Sequence, residues 1–406
     1  MKIALLILAL QVVCALPVRA DDTIEALAAQ ALVQNPGLEA ALRKWEAALA
    51  RARGEGSLPD PMVGADWERD STRLGDRMDI EYMVQQDLPG WGKRRARTSA
   101  ARLLAEAEGF RYLESARALR GEVAQAWWEL WARTRSVEAM AGNLETMGHM
   151  EQAALARYEA GTGQLSDVLR AQAAQARMSN DLVTMQREVE VARSGLNRLV
   201  NDPPDTARAL PAEPPDPVLP TSLDDLQRQG RQFCCILRAQ LREVEAKAAA
   251  VQAARAEQRP DWQVRVEGRQ PDGRNSIEEV DTGVFLNFPW LWRGKYVAGI
   301  RDAEAARAAA EAEYQDELNK TQWEIRELFT RAGAAQRQAR TLRETILPRL
   351  REATDSSLSS YQSGQGSYLD VLDSVRSRRE SELEYYRARA RFGQAVAQLD
   401  TITAPW

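Results

Sequence analysis

Apolar and polar positions along this chain repeat with two different periods. Val63, Ala65 and Trp67 alternate with Gly64, Asp66 and Glu68. After a polar turn at Ser71–Asp76, Met78, Ile80, Tyr82 and Val84 alternate with Asp79, Glu81, Met83 and Gln85. A period of two with one apolar face predicts a β-hairpin over about residues 61–88. The pattern returns over about 261–288. There Trp262, Val264 and Val266 face away from Gln263, Arg265 and Glu267, and a turn at Pro271–Ser276 leads into Thr282, Val284, Leu286 and Phe288 set against Asp281, Gly283, Phe285 and Asn287.

Around the hairpins the period is that of a helix. A first helix is predicted over Ile24–Gly54, and a helix also opens the second half after residue 222. Two very long helices follow the hairpins, at 92–158 and 295–361, each of 67 residues and the second interrupted only by Pro348. At ~1.5 Å per residue such a helix approaches ~100 Å, and Pro348 should kink or break it locally. Return helices are predicted at 165–200 and 368–400. They carry seams of Leu182, Met185, Val189, Ala192, Leu196 and Leu199, and of Leu383, Tyr386, Ala390, Gly393 and Ala397. Spacings of three and four make a left-handed coiled-coil seam.

These elements occur twice because the sequence is duplicated. Tyr158-Glu-Ala-Gly161-Thr-Gly163-Gln-Leu-Ser-Asp167-Val-Leu recurs 203 positions later as Tyr361-Gln-Ser-Gly364-Gln-Gly366-Ser-Tyr-Leu-Asp370-Val-Leu. Leu58-Pro59-Asp60 answers Arg259-Pro260-Asp261, and the junction at Pro89, Trp91, Gly92 and Lys93 answers that at Pro289, Trp292, Gly294 and Lys295. The repeats run over 21–200 and 223–400, with a short tail at 401–406. Between them residues 201–222 hold seven prolines, which exclude helix and inner strand and make this segment a linker.

A two-stranded hairpin is marginal alone, and four strands are too few to close a channel, so the economical arrangement is a barrel shared by several chains. The fold class is therefore mainly α with a small β part: long antiparallel helical hairpins plus four strands given to a common barrel. Trp67, Trp91, Trp262, Trp290 and Trp292 lie in or beside the strands, five of the chain's 11 tryptophans. They read as a membrane-interface belt in preference to residues packed under the hairpins.

The glycine pairs Gly161/Gly163 and Gly364/Gly366 do not follow a strand, so they read as the tips of helical hairpins and not as a nucleotide loop. Ser166 or Asp167, and Ser367 or Asp370, are placed to cap the return helices. Asp373, one turn beyond Asp370, has no such role. The two stacked carboxylates, multiplied by symmetry, would form acidic rings of the kind that attract or filter cations.

Composition narrows the remaining choices. Charged residues make up 28% and aromatics 6%, with both signs interspersed and a net charge of −5, so nucleic acid is not an expected partner. Lys2, the apolar run Ile3–Leu16 and Val18-Arg-Ala20 read as a signal peptide over 1–20, too short for a membrane anchor. Cys14 lacks the small preceding residue expected of a lipidation site. His149 stands alone on a polar stretch. Cys234 and Cys235 have no companion ligands at metal spacing. No catalytic constellation, metal site or cofactor site is expected, and an enzyme is not.

The ordered and duplicated motifs resemble those of the TolC-type outer-membrane efflux proteins. The pieces are Asn35-Pro36-x-Leu38, the Pro-Asp entry to each hairpin, the Pro-x-x-Gly-Lys exit and the two Gly-x-x-x-x-x-Asp-Val tips. The resemblance covers essentially the whole mature chain and implies a homotrimer. Its chains would pool four strands each into a twelve-stranded outer-membrane barrel set in lipid, above a periplasmic helical tunnel with the linker at its equator. It further implies that the hairpin tips close the tunnel and dock a periplasmic adaptor bound to an inner-membrane pump, of the resistance-nodulation-division type. By residue match, Asp167 and Tyr361 are similar to members of an inter-helix hydrogen-bond network at the gate, and Asp370 and Asp373 to its acidic ring. One departure is Gly366, where family members can carry an arginine. A second is Cys234-Cys235 where the first half has Asn35-Pro36. The wording from Pro89 to Arg94 is most similar to the heavy-metal efflux branch. The expected function is a passive exit duct of a tripartite efflux system. A type I protein-secretion duct is the alternative, and a periplasmic adaptor or coiled-coil scaffold ranks below both.

Overall fold

The computed structural model describes residues 22–70, 77–211, 213–220, 222–271 and 275–405. The signal-like segment at 1–20, Cys14 within it, the first hairpin turn at 71–76 and residues 272–274 of the second lie outside the described residues. The elements in order are α1 (Ile24–Gln34), α2 (Pro36–Gly54), β1 (Met62–Asp70), β2 (Arg77–Leu88), α3 (Lys93–Glu159) and α4 (Leu165–Leu199). After the linker come α5 (Leu223–Phe233), α6 (Cys235–Ala256), β3 (Trp262–Gln270), β4 (Glu279–Leu286), α7 (Arg293–Thr341), α8 (Leu347–Gln362) and α9 (Tyr368–Thr403).

The helix expected over Ile24–Gly54 is two helices. Pro36 removes a donor and turns the preceding residue out of the helical region. Asn35 then caps the new start, its Oδ1 accepting from the N–H groups of Gly37 at 2.8 Å and Leu38 at 3.2 Å. The second repeat breaks at the same place without a proline: Cys234 is the extended residue ahead of α6. Burial pushes the Cys234 thiol up from its usual range, against the N–H groups of Leu237 and Ile236 and the Thr321 hydroxyl, which favour its charged form. Cys234 thus stands in the position that Asn35 fills in the first copy.

The local irregularity expected at Pro348 is a π-turn and not an end of the helical path. Leu342–Ile346 widens into a π-turn, with the Leu347 N–H bonded to the Leu342 carbonyl, and α8 carries the proline within its first turn. One extra residue in the turn absorbs the missing donor and the ring.

The chain divides into two compact units. One comprises the chain up to Leu38, Ser115–Phe233 and Gln322 onward; the other comprises Glu39–Glu114 and Cys234–Thr321. The second unit holds the sheet. Its two hairpins do not stand apart: β2 pairs with β3, giving one antiparallel sheet in the order β1-β2-β3-β4. The register puts Val63, Val84, Val266 and Thr282 in one cross-strand row, next to Ala65, Tyr82, Gly268 and Val280. The other face carries rows such as Gln85, Arg265 and Gly283, and Glu81, Arg269 and Glu279. Within that face Arg265 donates to Gln85 Oε1 at 3.2 Å. β1 and β4 are open edges.

The two strand-to-helix junctions differ. In the first, Gly92 has φ +84°, and a Cβ there or at Gly90 would sit 2.3 Å from Arg259 or from the Pro260 carbonyl. Lys93 is buried and bonds Asp261 at 2.8 Å and Glu257 at 3.3 Å. In the second, Pro289 opens a 3-10 turn through Trp292, Gly294 lies inside α7 with open space around it, and Lys295 is exposed. The duplicated wording therefore does not produce duplicated geometry: the first junction meets the Arg259-Pro260-Asp261 corner through its glycines and Lys93, whereas the second meets it through Asn287, which donates to Asp261 and accepts from its N–H. All five sheet-proximal tryptophans are exposed, from 46% for Trp262 to 89% for Trp91.

In the first unit the seams close as small residues predict. A Cβ on Gly393 would fall 2.1 Å from the Trp128 ring, so only glycine admits that indole. The linker is held against the helices by Arg389, which is buried, pairs with Asp216 at 3.0 Å and Glu213 at 3.3 Å, and donates to the Pro214 carbonyl.

Candidate functional site: the paired hairpin tips

Both tips are built by the same backbone device. Gly161 and Gly364 take φ +70° and +83°, the left-handed region where a side chain is strained. The N–H groups of Thr162 and Gly163 then both bond the Arg157 carbonyl at 2.9 Å, and those of Gln365 and Gly366 both bond the Ser360 carbonyl at 2.9 Å. These bonds satisfy carbonyls left open at a helix end. The second glycine of each pair serves a different need. A Cβ on Gly163 would lie 2.9 Å from Arg157, and one on Gly366 would lie 2.9 Å from the Tyr361 nitrogen. An arginine at 366 has no room in this turn.

The caps only partly follow expectation. Ser367 accepts from the Leu369 N–H at 3.2 Å and caps α9. In the first tip the cap position is Gln164, which makes no side-chain cap; Ser166 bonds the Gln164 side chain, while Asp167 and Asp370 lie within the first turns of α4 and α9. Acidic residues there still complement the helix dipole.

Although the turns match, their side chains are used differently. Tyr361 and Tyr368 are 1% and 2% exposed, edge to face at 6.1 Å, within a core that includes Met140, Met147, Met150, Val168 and Val371. Their counterparts Tyr158 and Leu165 are exposed. Neither buried phenol oxygen has a hydrogen-bond partner among the described residues. Burial raises the Tyr361 phenol, and the nearby Asp167 charge adds to this; burial, Tyr361 and Asp167 push Tyr368 up to about 12. Asp167 and Tyr361 are thus brought together, and Asp167 acts on the phenol through its charge.

The cation at this site comes from Arg157, a residue that motif comparison passes over. Its guanidinium donates to the Tyr361 carbonyl at 2.8 Å and lies 4.6 Å from the centre of the Tyr361 ring. The signal was in the duplication: Arg157 immediately precedes the first motif, where the second copy has Ser360. Asp370 and Asp373 stand one turn apart on α9, both exposed, and neither forms an ion pair among the described residues. Among the described residues no group of three or more His, Cys, Asp or Glu is placed to hold a metal ion, and no helix is long and apolar enough to cross a membrane.

The model of one protein family, described as outer membrane efflux protein, matches residues 27–202 and 236–404, which include both tips and the sheet. The chain belongs to that family. It is an outer-membrane efflux duct, and the family is one of channels that work as trimers with adaptor and inner-membrane pump partners. A relative, the cobalt-zinc-cadmium resistance protein CzcC of Cupriavidus metallidurans, is 25% identical over 397 residues, covering 94% of this chain and 89% of its own. The fold is shared with the outer-membrane channel OprN, at TM-score 0.81 and 22% identity, over 94% of this chain and 90% of that one. It is shared with CusC at TM-score 0.82 and 17% identity, over 98% and 96% of the two chains. VceC of Vibrio cholerae matches at TM-score 0.79 and 22% identity, over 94% and 96%.

Proposed function

We propose that three copies of this chain assemble into a passive outer-membrane exit duct, each giving four strands to a twelve-stranded barrel. The observation that carries this reading is the sheet with open edges at β1 and β4 and one apolar, exposed face. Unpaired strand edges are not left free in a membrane, because their backbone groups have no water to bond; closure with neighbouring copies satisfies them. Val63, Val84 and Val284 then face lipid, while Arg265, Glu267 and Glu81 line the lumen. Trp67, Trp91, Trp262, Trp290 and Trp292 supply the interface belt.

In this reading the tips form the far end of the tunnel. Asp370 and Asp373 of three chains make the acidic constriction, Asp167 and Tyr361 hold neighbouring helices, and the turns at Gly161, Gly163, Gly364 and Gly366 dock the adaptor. The junctions at Pro89, Gly92, Pro289 and Gly294 connect barrel to tunnel. The repeats at 21–200 and 223–400 act as two halves of each subunit about the 201–222 linker. The duct performs no chemistry and needs no cofactor; energy and selection reside in an inner-membrane pump of the resistance-nodulation-division type. Similarity to a cobalt-zinc-cadmium resistance protein supports divalent metal cations as cargo.

Detergent extracts of outer membranes should yield a heat-resistant trimer that opens ohmic conductance in planar bilayers. A monomer released by osmotic shock would sink the proposal.

A further inference from the structure

A cleft of ≈ 1210 Å³ lies where the strands give way to helices in the sheet-bearing unit. Leu88, the last residue of β2, and Trp262, the first of β3, form part of its wall. They are register partners. Counting by twos along each strand puts Leu88 on the side of Val84 and Trp262 on the side of Val266, so the cleft opens at the end of the apolar face. Trp91, 89% exposed, borders it as well.

The rest of the wall is strongly cationic. Arg94, Arg95 and Arg102 of α3 line the cleft, are exposed, and have no acidic partner among the described residues. Their neighbours are different: Lys93 is held by Asp261 and Glu257, and Arg97 by Glu257 at 2.7 Å. Carboxylates thus hold two cations, while Arg94, Arg95 and Arg102 stay open to the cleft beside a fourth lining cation, Arg259, which donates to the Trp91 carbonyl. Arg94 and Arg95 also stand in the first turn of a helix that has no acidic residue there, where positive charge opposes the dipole. Folding gains nothing electrostatic from this placement.

We infer that this cleft is a binding site for an anionic diacyl phospholipid in the periplasmic leaflet, an inference that rests on the barrel lying in the membrane. With the strands in the membrane and the helices outside it, the end of the sheet where strands give way to helices stands at the membrane boundary. A lipid entering there lays its acyl chains along Val84, Val266 and Val284, sets its glycerol beside Trp91 and Trp262, and brings its phosphate among the three guanidiniums. Guanidinium groups suit phosphate because their planar donors bond two oxygens at once.

The test uses the full-length protein purified in detergent and exposed to an equimolar mixture of phosphatidylglycerol and phosphatidylethanolamine, with retained lipid counted by native mass spectrometry. Wild type should retain phosphatidylglycerol in preference. The R94Q/R95Q/R102Q variant should lose that preference by up to roughly a hundredfold, since each of the three basic residues near an anionic surface counts for about fivefold. The corresponding triple lysine variant should keep most of it, and R97Q, which touches a paired arginine, should match wild type. Unchanged preference in the glutamine variant, or displacement of the lipid by millimolar inorganic phosphate, would overturn the inference. Absence of the protein from outer-membrane fractions would instead count against the barrel reading, and is scored separately.

Discussion

Arg157 donates to the backbone carbonyl of Tyr361 at 2.8 Å while its guanidinium covers the face of the same residue's ring at 4.6 Å. One side chain of the first hairpin thereby grips the second hairpin at two points. The core around Tyr361 and Tyr368 is apolar, and neither buried phenol oxygen has a partner among the described residues.

Removing that grip should loosen the contact between the two tips. Arg157→Ala forfeits a charge-assisted hydrogen bond and a cation–π contact, together about 1–3 kcal/mol. The expected outcome is a higher resting conductance in planar bilayers with an intact trimer. Arg157→Lys should fall between wild type and the alanine variant, because it keeps the charge and loses the planar fork. Identical conductance in all three would show that Arg157 merely packs.

Gly366 is the complementary case. An arginine placed there must clear the Tyr361 nitrogen, 2.9 Å from where its Cβ would sit. Gly366→Arg is therefore expected to lower the melting temperature of the purified trimer and to open the tip, although it restores a residue that family members can carry. A Gly366→Arg variant with unchanged melting and lower conductance would mean that the turn readily rearranges.

How much of this could be read from sequence depended on what each signal encodes. Period-two alternation and the doubled motif encode backbone, so hairpins, long helices and tip turns were legible. Proline effects were poorly legible: Pro36 split a helix expected to be continuous, whereas the local irregularity expected at Pro348 takes the form of a π-turn five residues long. The pairing of β2 with β3 was invisible, because it joins segments almost two hundred residues apart in the chain and no local pattern encodes it. The duplication also misled where packing differs between copies. Leu165 and Tyr368 occupy equivalent motif positions, yet one is exposed and the other buried. Arg157 escaped notice because it lies one residue before the repeat becomes recognisable.

The buried tyrosines make stability sensitive to alkali. Tyr368 titrates near 12 in the folded chain against about 10 when unfolded. A folded-state pKa above the unfolded value gives a contribution that is complete below pH ~10 and is lost as pH rises toward ~12. Burial raises Tyr361 in the same direction. Thermal melts of wild type should fall progressively through this window, and Tyr368→Phe should flatten the fall. An equally steep decline in the phenylalanine variant would assign the alkaline limb to other groups.

Asp370 and Asp373 stack on the exposed side of α9, one turn apart and without counter-charges among the described residues. Residues three apart on a helix are neighbours, and two like charges there cost a few tenths of a kcal/mol in the isolated chain. Threefold symmetry would concentrate six such carboxylates at one level of the tunnel, where field lines are focused and cations accumulate. Divalent and trivalent cations should therefore block wild-type conductance from the tip side, with affinity falling as ionic strength rises. Replacing both residues by alanine should raise single-channel conductance and weaken that block by an order of magnitude or more, and either single variant should lie between. Unchanged block in the double variant would remove these two residues from the constriction and leave Asp167 and Glu159 as acidic candidates at the tips.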